Sequence, residues 1–236
     1  MHFSHSSEIR GAFPELVAGV IHAHGIDAAA TVEPAVERFC AAARTRLAGG
    51  PESELPEIQA WRRGFSRMGL KPTQYRCASE ALLRRFRQEG HLPRIHPLID
   101  LCNALSLAFA IPVAAIDIAK VTDFLEVRHA IGTEEYLTFT GTREHPEPRE
   151  IIFADAAQKA HARRWTNRQS GLSAVGGDTT SVLIVAEALH PTASDDVTRL
   201  IAALTGELKA IWPVAPSTAL LDGKRSRFEF QDPPTT

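Results

Sequence analysis

The chain has 236 residues, 44% of them hydrophobic and 23% charged, with a net charge of −2 and three cysteines. It is long enough to bury a sizeable core, and its composition excludes collagen-like, low-complexity and disulfide-dense classes. The longest apolar run, Ala104 to Ile116, carries Ser106, is broken by Pro112 and falls short of the ~20 residues a bilayer span needs.

"FPELVAGVIHAHGI" (13–26) is rich in Val and Ile and predicts an early buried strand ended by Gly25. "EPAVERFCAAARTRLAGG" places Val36, Phe39, Cys40, Ala43 and Leu47 at helical spacing, closed by Gly49 and Gly50. A second helix runs through Ile58, Trp61, Phe65 and Met68. A third, "CASEALLRRFRQEG", has Ser79 as its candidate N-cap and a stripe of Ala78, Leu82, Leu83 and Phe86. Pro93 and Pro97 frame the entry to the next helix, with Pro97 suited to its first turn.

Beyond Pro112 the period changes. "VAAIDI", "FLEVRHA", "EYLTFTG", "EIIFAD", "ARRWTNRQS" and "TTSVLIVAEAL" are short β-branched or alternating runs that predict strands. "SDDVTRLIAALTGELKAIW" predicts a closing amphipathic helix capped by Ser194, with Val197, Leu200, Ile201, Leu204 and Leu208 inward. The tail "DGKRSRFEFQDPPTT" is expected to be mobile at its end. The economical reading is one α+β domain over 1–236: helices, then sheet, then a closing helix.

"MHFSHSSEIR" lacks the apolar core of a signal peptide. Cys40, Cys77 and Cys102 form no CxxC pair, so a reducing cytoplasm is the simplest compartment, with no membrane, metal or cofactor expected. Charge is uneven: residues 61–94 hold nine Lys/Arg and two Asp/Glu between acidic flanks. That suits either a phosphate-binding face or arginine-rich solvent faces of amphipathic helices. His22 and His24 form HxH, but no third ligand is apparent and two ordinary histidines are the simpler reading; "HFSH" is weaker still. GxSxG, HExxH, GxGxxG and Walker-type loops do not occur.

"AVGGD" (174–178) suits a hairpin turn or a close backbone approach to a ligand. In "RRWTNRQS" (163–170), strand alternation puts Arg163, Trp165 and Asn167 on one face and Arg164, Thr166 and Arg168 on the other. That is either a cationic, aromatic nucleic-acid surface or a solvated face with Trp165 buried. Asp100 and Asn103 share a helix face within an apolar run, which is costly without partners. Structural hydrogen bonds are their default role, ligand contact the alternative.

"RRFRQEGHLPRIHPLIDLCNALSLAFAIPVAAIDIAKV" resembles the B3/B4 domain of the phenylalanyl-tRNA synthetase β subunit. Gly90, Pro93, Ile99-Asp100, Asn103, Pro112 and Ala115-x-Asp117 fall in that family's order and spacing. "LEVRHAIGTEEYLTFTGT" and "EIIFAD" resemble its next segments, and the match runs from about 70 to 190. "KPTQYRCASEALLRR" and "RRWTNRQS" resemble freestanding B3/B4 proteins. The resemblance implies a three-layer α+β fold with helices packed on a β-sandwich of unusual topology. In the synthetase this domain hydrolyses tyrosine misattached to phenylalanine tRNA, in a pocket lined by a Thr-Asn pair, a His-Ala pair and a Gly-Gly-Glu loop. By position these become Cys102-Asn103, Ala114-Ala115 and Gly176-Gly177-Asp178, with Pro112 alongside.

The resemblance thus implies a freestanding tRNA-binding editing domain that hydrolyses a mischarged aminoacyl ester in trans. Asn103 and Asp178 would be catalytic, and Lys71, Arg76, Arg84, Arg164, Trp165 and Arg168 would meet RNA. Ala114 stands where the synthetases carry histidine, which favours, as the alternative, a non-catalytic tRNA- or RNA-binding module; a pocket for a free amino acid is a more distant third reading.

Overall fold

In the computed structural model, which describes residues 1–231, strand β1 (His2–His5), helix α1 (Ser7–Ala12) and strand β2 (Val17–His24) come first. Four helices follow: α2 (Glu33–Leu47), α3 (Pro56–Arg67), α4 (Ala78–Glu89) and α5 (Pro97–Phe109). Proline opens α2, α3 and α5, where its missing N–H would have lacked an intrahelical partner anyway. Helix α4 starts after Cys77 rather than at a Ser79 cap. Ser79 lies buried in the first turn, with its hydroxyl 3.4 Å from the Cys77 sulfur. Gly90 ends α4 at φ 77°, its N–H bonded to the Phe86 carbonyl, in the left-handed conformation that glycine adopts without a Cβ penalty.

The second half runs β3 (Val113–Asp117), β4 (Phe124–His129), β5 (Tyr136–Leu137), β6 (Arg143–Glu144), β7 (Ile151–Ala154), β8 (Ala160–Arg163), β9 (Arg168–Gln169) and β10 (Ser181–Ala188). Helix α6 (Ala193–Ile211), β11 (Ser217–Leu221) and β12 (Arg227–Glu229) complete it. The strand-rich reading holds, although "EYLTFTG" supplies only two strand residues. Helix α6 is capped at Thr192 rather than Ser194. Part of the expected tail is strand β12; the expectation of a mobile end falls on 232–236, outside the described residues.

The strands form a six-stranded sheet, β12-β1-β4-β7-β8-β9, a four-stranded sheet, β11-β2-β10-β3, and the small hairpin β5-β6. Period-2 alternation along β10 fixes the layers. Val182, Ile184 and Ala186 face a core shared with α2, α5 and α6. Leu183 and Val185 face the core between the sheets, where Phe3, Val127, Phe153 and Ala162 answer them from the six-stranded sheet. Trp61, Phe65, Leu83 and Phe86 of α3 and α4 join this second core. The fold is α+β in three layers: helices, four-stranded sheet, six-stranded sheet. Helix α6 packs tightly over Gly19 of β2, where a Cβ would sit 2.3 Å from the Ile201 side chain.

The three cysteines are free and buried. Burial alone pushes the Cys102 thiol up to about 12, and it also raises Cys77 to about 12. Among the described residues no helix is long and apolar enough to cross a membrane.

Candidate functional site

Strand β3 is an edge of one sheet and β9 of the other, and the two edges meet where Gln169 Nε2 donates to Ala115 O (2.7 Å). Between them lies a cleft of about 60 Å³ whose walls are largely apolar: Pro112, Val113, Ala114, Phe153, Ala162 and Val185. The turn joining β8 to β9, Arg164–Asn167, closes over it. "RRWTNRQS" is therefore not one alternating strand. The β8 ladder stops at Arg163 and resumes at Arg168, with Arg164 (φ 48°) and Trp165 (φ 58°) both left-handed. For a bulky residue such a backbone is strained and persists only where the surroundings over-determine it. Here they do: the Trp165 amide donates to Ile151 O (2.7 Å) and its ring meets Phe13 and Trp61 edge-on, at 4.8 and 5.0 Å. The Ala78 amide donates to Thr166 O (2.8 Å), and Asn167 Nδ2 donates to Arg76 O (2.7 Å).

One carboxylate reaches this cleft. Glu187, at the C-terminal end of β10, shares the inward face with Leu183 and Val185 and is 2% exposed. Its Oε1 accepts the Trp165 indole N–H at 2.9 Å and lies 2.7 Å from His5 Nε2. Both bonds fall on Oε1, and neither engages Oε2. Thr166 also lines the cleft, and its hydroxyl is buried with no hydrogen-bond partner among the described residues, an unmet bond of the kind a polar ligand atom satisfies. At the mouth, Arg168 pairs with Glu144 (3.3 Å) and stacks over Tyr136, while Gln169 Nε2 donates to Ala115 O (2.7 Å). Beyond the turn lies a groove of about 630 Å³, where Arg67, Arg149 and Arg164 line a floor of Phe13, Met68 and Tyr75.

The expected pocket is divided by this geometry. Pro112 and Ala114 line the cleft. Ala115 turns its side chain to the helix-side core, where Cys102 also lies, because successive strand residues face opposite ways. Asn103 shares a separate depression of about 110 Å³ with Asp100, Arg44 and Arg94, and no residue lines both cavities. Asp100 takes the structural role expected of it, accepting the Ile95 amide at 3.0 Å. Gly176, Gly177 and Asp178 form an exposed turn before β10. They sit beside Thr179, which bonds Asp117, at the far end of β3 from Ala114. The loop facing Ala114 is 165–169.

Of the residues expected to meet RNA, Arg168 lines the cleft. Arg164 stacks over Tyr75 in the adjoining groove, and Arg76 holds the turn through its carbonyl. Lys71 and Arg84 are exposed, outside both cavities. Trp165 is corrected: at 1% exposure its ring is core, with no face for a base to stack on.

Two other clusters resemble active sites by residue type. Ser173, His161 and Asp155 form a chain, with Ser173 Oγ 2.8 Å from His161 Nδ1 and His161 Nε2 3.3 Å from Asp155. Ser173 has no exposed surface, so it has no access to a substrate. Glu57, His190 and Asp196 lie close enough to share a cation, but Arg46 grips both Glu57 oxygens at 2.8 Å and Arg199 holds Asp196. A cation would have to displace both arginines. His22 stacks on Phe230 and bonds Ser181; neither it nor His24 belongs to that cluster.

The B3/4 domain family matches residues 60–203, and the chain belongs to that family. Every residue lining the cleft falls within the matched span, whereas His5 falls outside it. Among solved structures, the chain is similar to an N-terminal fragment of the phenylalanyl-tRNA synthetase β-subunit from Pyrococcus horikoshii. Identity is 9% and the TM-score 0.46, over 91% of this chain and 49% of that one. The chain thus spans about half the length of that fragment. Comparison with curated proteins gave no match.

Proposed function

We propose that the protein binds the aminoacylated 3′ end of a tRNA and hydrolyses the aminoacyl ester in trans. The observation that carries this reading is Glu187: a buried carboxylate lining a narrow apolar cleft, with both of its side-chain donors on one oxygen, in a B3/4 family member. An aminoacyl ester is intrinsically labile, so a positioned water and a base account for much of the catalysis required. Glu187 Oε2 takes a proton from water as the water oxygen bonds to the ester carbonyl carbon. The tetrahedral intermediate collapses with cleavage of the bond to the ribose oxygen, which receives that proton from Glu187. Ester and water become free amino acid and tRNA hydroxyl.

The cleft's size supports a small substrate side chain. A water needs roughly 10–15 Å³ of such space, so about 60 Å³ suits a few heavy atoms and not a tyrosine ring. Thr166 favours a side chain or amino group that can bond its hydroxyl. Arg168 and Arg164 are placed for backbone phosphates, which arginine binds through paired N–H donors. We read residues 1–236 as one B3/4 unit in the cytoplasm, with the segments outside 60–203 supplying β1, β2, β11 and β12.

The deciding experiment is a deacylation assay over tRNAs charged with serine, threonine, alanine, glycine and tyrosine, with Glu187→Gln as control. Acceleration of at least one small-side-chain ester, lost in the control, is the expected result. No acceleration for any ester would sink the hydrolytic reading. The Arg-lined groove favours a second reading, a non-catalytic RNA-binding module, which predicts salt-dependent tRNA binding without turnover. A thermal shift with free amino acids and none with tRNA would favour an amino-acid pocket instead.

A further inference from the structure

We infer that the N-terminal segment supports the cleft from behind. His5 and Arg10, both outside the family-matched span, hold Glu187 oriented with its second oxygen toward the substrate. This rests on the hydrolytic reading of the cleft and adds residues to it that no family correspondence supplies.

The geometry assigns the protons. Arg10 Nη2 lies 2.9 Å from His5 Nδ1, and a guanidinium can only donate. Nδ1 must therefore accept, which places the ring proton on Nε2. That proton is donated to Glu187 Oε1 at 2.7 Å, alongside the Trp165 indole N–H at 2.9 Å. Two donors on one oxygen fix the orientation of the carboxyl group, and neither of them engages Oε2. Burial lowers the proton affinity of His5, outweighing the opposite pull of Glu187, and Arg10 adds to the lowering. The ring stays neutral and its only acceptor nitrogen is already occupied. A proton taken from water by Oε2 therefore cannot pass on to the imidazole and remains on Glu187 for the departing ribose oxygen.

The chain is built rather than incidental. On β1, Phe3 and His5 face inward on the strand's period of two, and the Phe3 ring meets His5 edge-on at 5.1 Å. Pairing with both β4 and β12 sets the register of that strand. Arg10 is anchored by a bond to Leu16 O (2.9 Å) and feels the charges of Glu187 and Asp222. Where the resembled synthetases carry histidine on the strand of Ala114, this chain brings an imidazole from another element and sets it behind a carboxylate. His5 does not line the cleft; it is a positioning residue.

The test measures deacylation rates for wild type, His5→Leu, His5→Gln and Arg10→Met. The Trp165 indole N–H, bonded to the same Glu187 oxygen as His5, is followed by NMR in the same substrate-free proteins. His5→Leu is expected to lower kcat on the order of ten- to a hundred-fold with KM unchanged, and to shift the indole N–H resonance. His5→Gln, whose amide N–H reaches where Nε2 stood, recovers most of both. Arg10→Met frees Nδ1 and shifts both in the His5→Leu direction. A His5→Leu protein with wild-type kcat and a wild-type indole resonance overturns the inference. If that variant does not fold, an unchanged Arg10→Met does the same. An indole resonance that responds to His5→Leu in a protein that hydrolyses no ester overturns the hydrolytic reading alone and supports the coupling of His5 to Glu187.

Discussion

Ala114 and Glu187 stand on one face of neighbouring strands, since Ala114 pairs with Val185 and Glu187 is the next inward residue of β10. The methyl group at 114 is what leaves room in front of the carboxylate. Ala114→Ile is expected to fill the cleft and reduce ester hydrolysis by about ten-fold or more, each ten-fold being ~1.4 kcal/mol of barrier. Ala114 is only half-buried, so the melting temperature should move little. A kinetic loss that merely tracks a fall in melting temperature would contradict this.

Glu187→Gln keeps the shape and removes the base. A fall in kcat of roughly 10²- to 10⁴-fold is expected, the usual contribution of a positioned general base. Glu187→Ala strands the His5 and Trp165 donors in the core, and chemical denaturation should show a stability loss of about 1–3 kcal/mol for each stranded donor. Full activity in the Gln variant would remove Glu187 from the mechanism.

Trp165 is expected to act through packing. Trp165→Ala should destabilise the protein by about 3–5 kcal/mol. Trp165→Phe keeps most of the ring contacts, loses the bond to Glu187, and should cost about 1.5–3 kcal/mol, as for a hydrogen bond to a charged group. Equilibrium unfolding separates the two. RNA affinity in the folded Phe variant should match wild type, because the ring offers no surface to a base.

Arg168→Gln and Arg164→Gln should each weaken tRNA binding and lower the slope of log affinity against log salt by about one. Arg84→Gln, at a position exposed on α4 outside both cavities, should weaken tRNA binding much less. Filter binding over a salt series reads all three variants, and an Arg84 effect equal to that of Arg168 would move the RNA track onto α4.

Acid stability has a specific contributor in Asp196. Burial opposes its ionisation, but bonds from Thr192, His190 and Arg199 outweigh burial and hold it at about 2, against an ordinary 3.8. A depressed carboxylate stabilises the fold above its unfolded value and loses that contribution as pH falls toward the folded one. About 2 kcal/mol should therefore disappear between roughly pH 4 and pH 2. Asp196→Asn should flatten that part of the stability curve.

The helices were legible because their burial pattern is local. Trp61, Phe65, Leu83 and Phe86 repeat at helical spacing and meet the core as that spacing requires. The short strands after Pro112 were legible for the same reason, through alternation. Strands β1, β11 and β12 were not, since "HFSH" and "RFE" are too short to show a period and exist by pairing with distant partners. The cleft was half legible: the family resemblance supplied Pro112 and Ala114, which line it, but also drew the facing loop to Gly-Gly-Asp at 176–178, which does not. Nothing in "RRWTNRQS" betrays a hairpin with two left-handed residues that are not glycine. Glu187 had a signal, as a lone acid at an inward position of "SVLIVAEAL", of the same kind that singled out Asp100 and Asn103. His5 had none, because its partner lies 182 residues away.

That separation bears on when the protein can work. Contacts between distant parts of a chain close last and slowly, because loop entropy is lost before they reward it. A chain that has formed its helices and the four-stranded sheet holds Glu187, yet lacks the donor behind it until β1 has threaded between β4 and β12. Refolding from denaturant should therefore regain helical signal first and ester hydrolysis last, so activity reports the docking of the N-terminal strand.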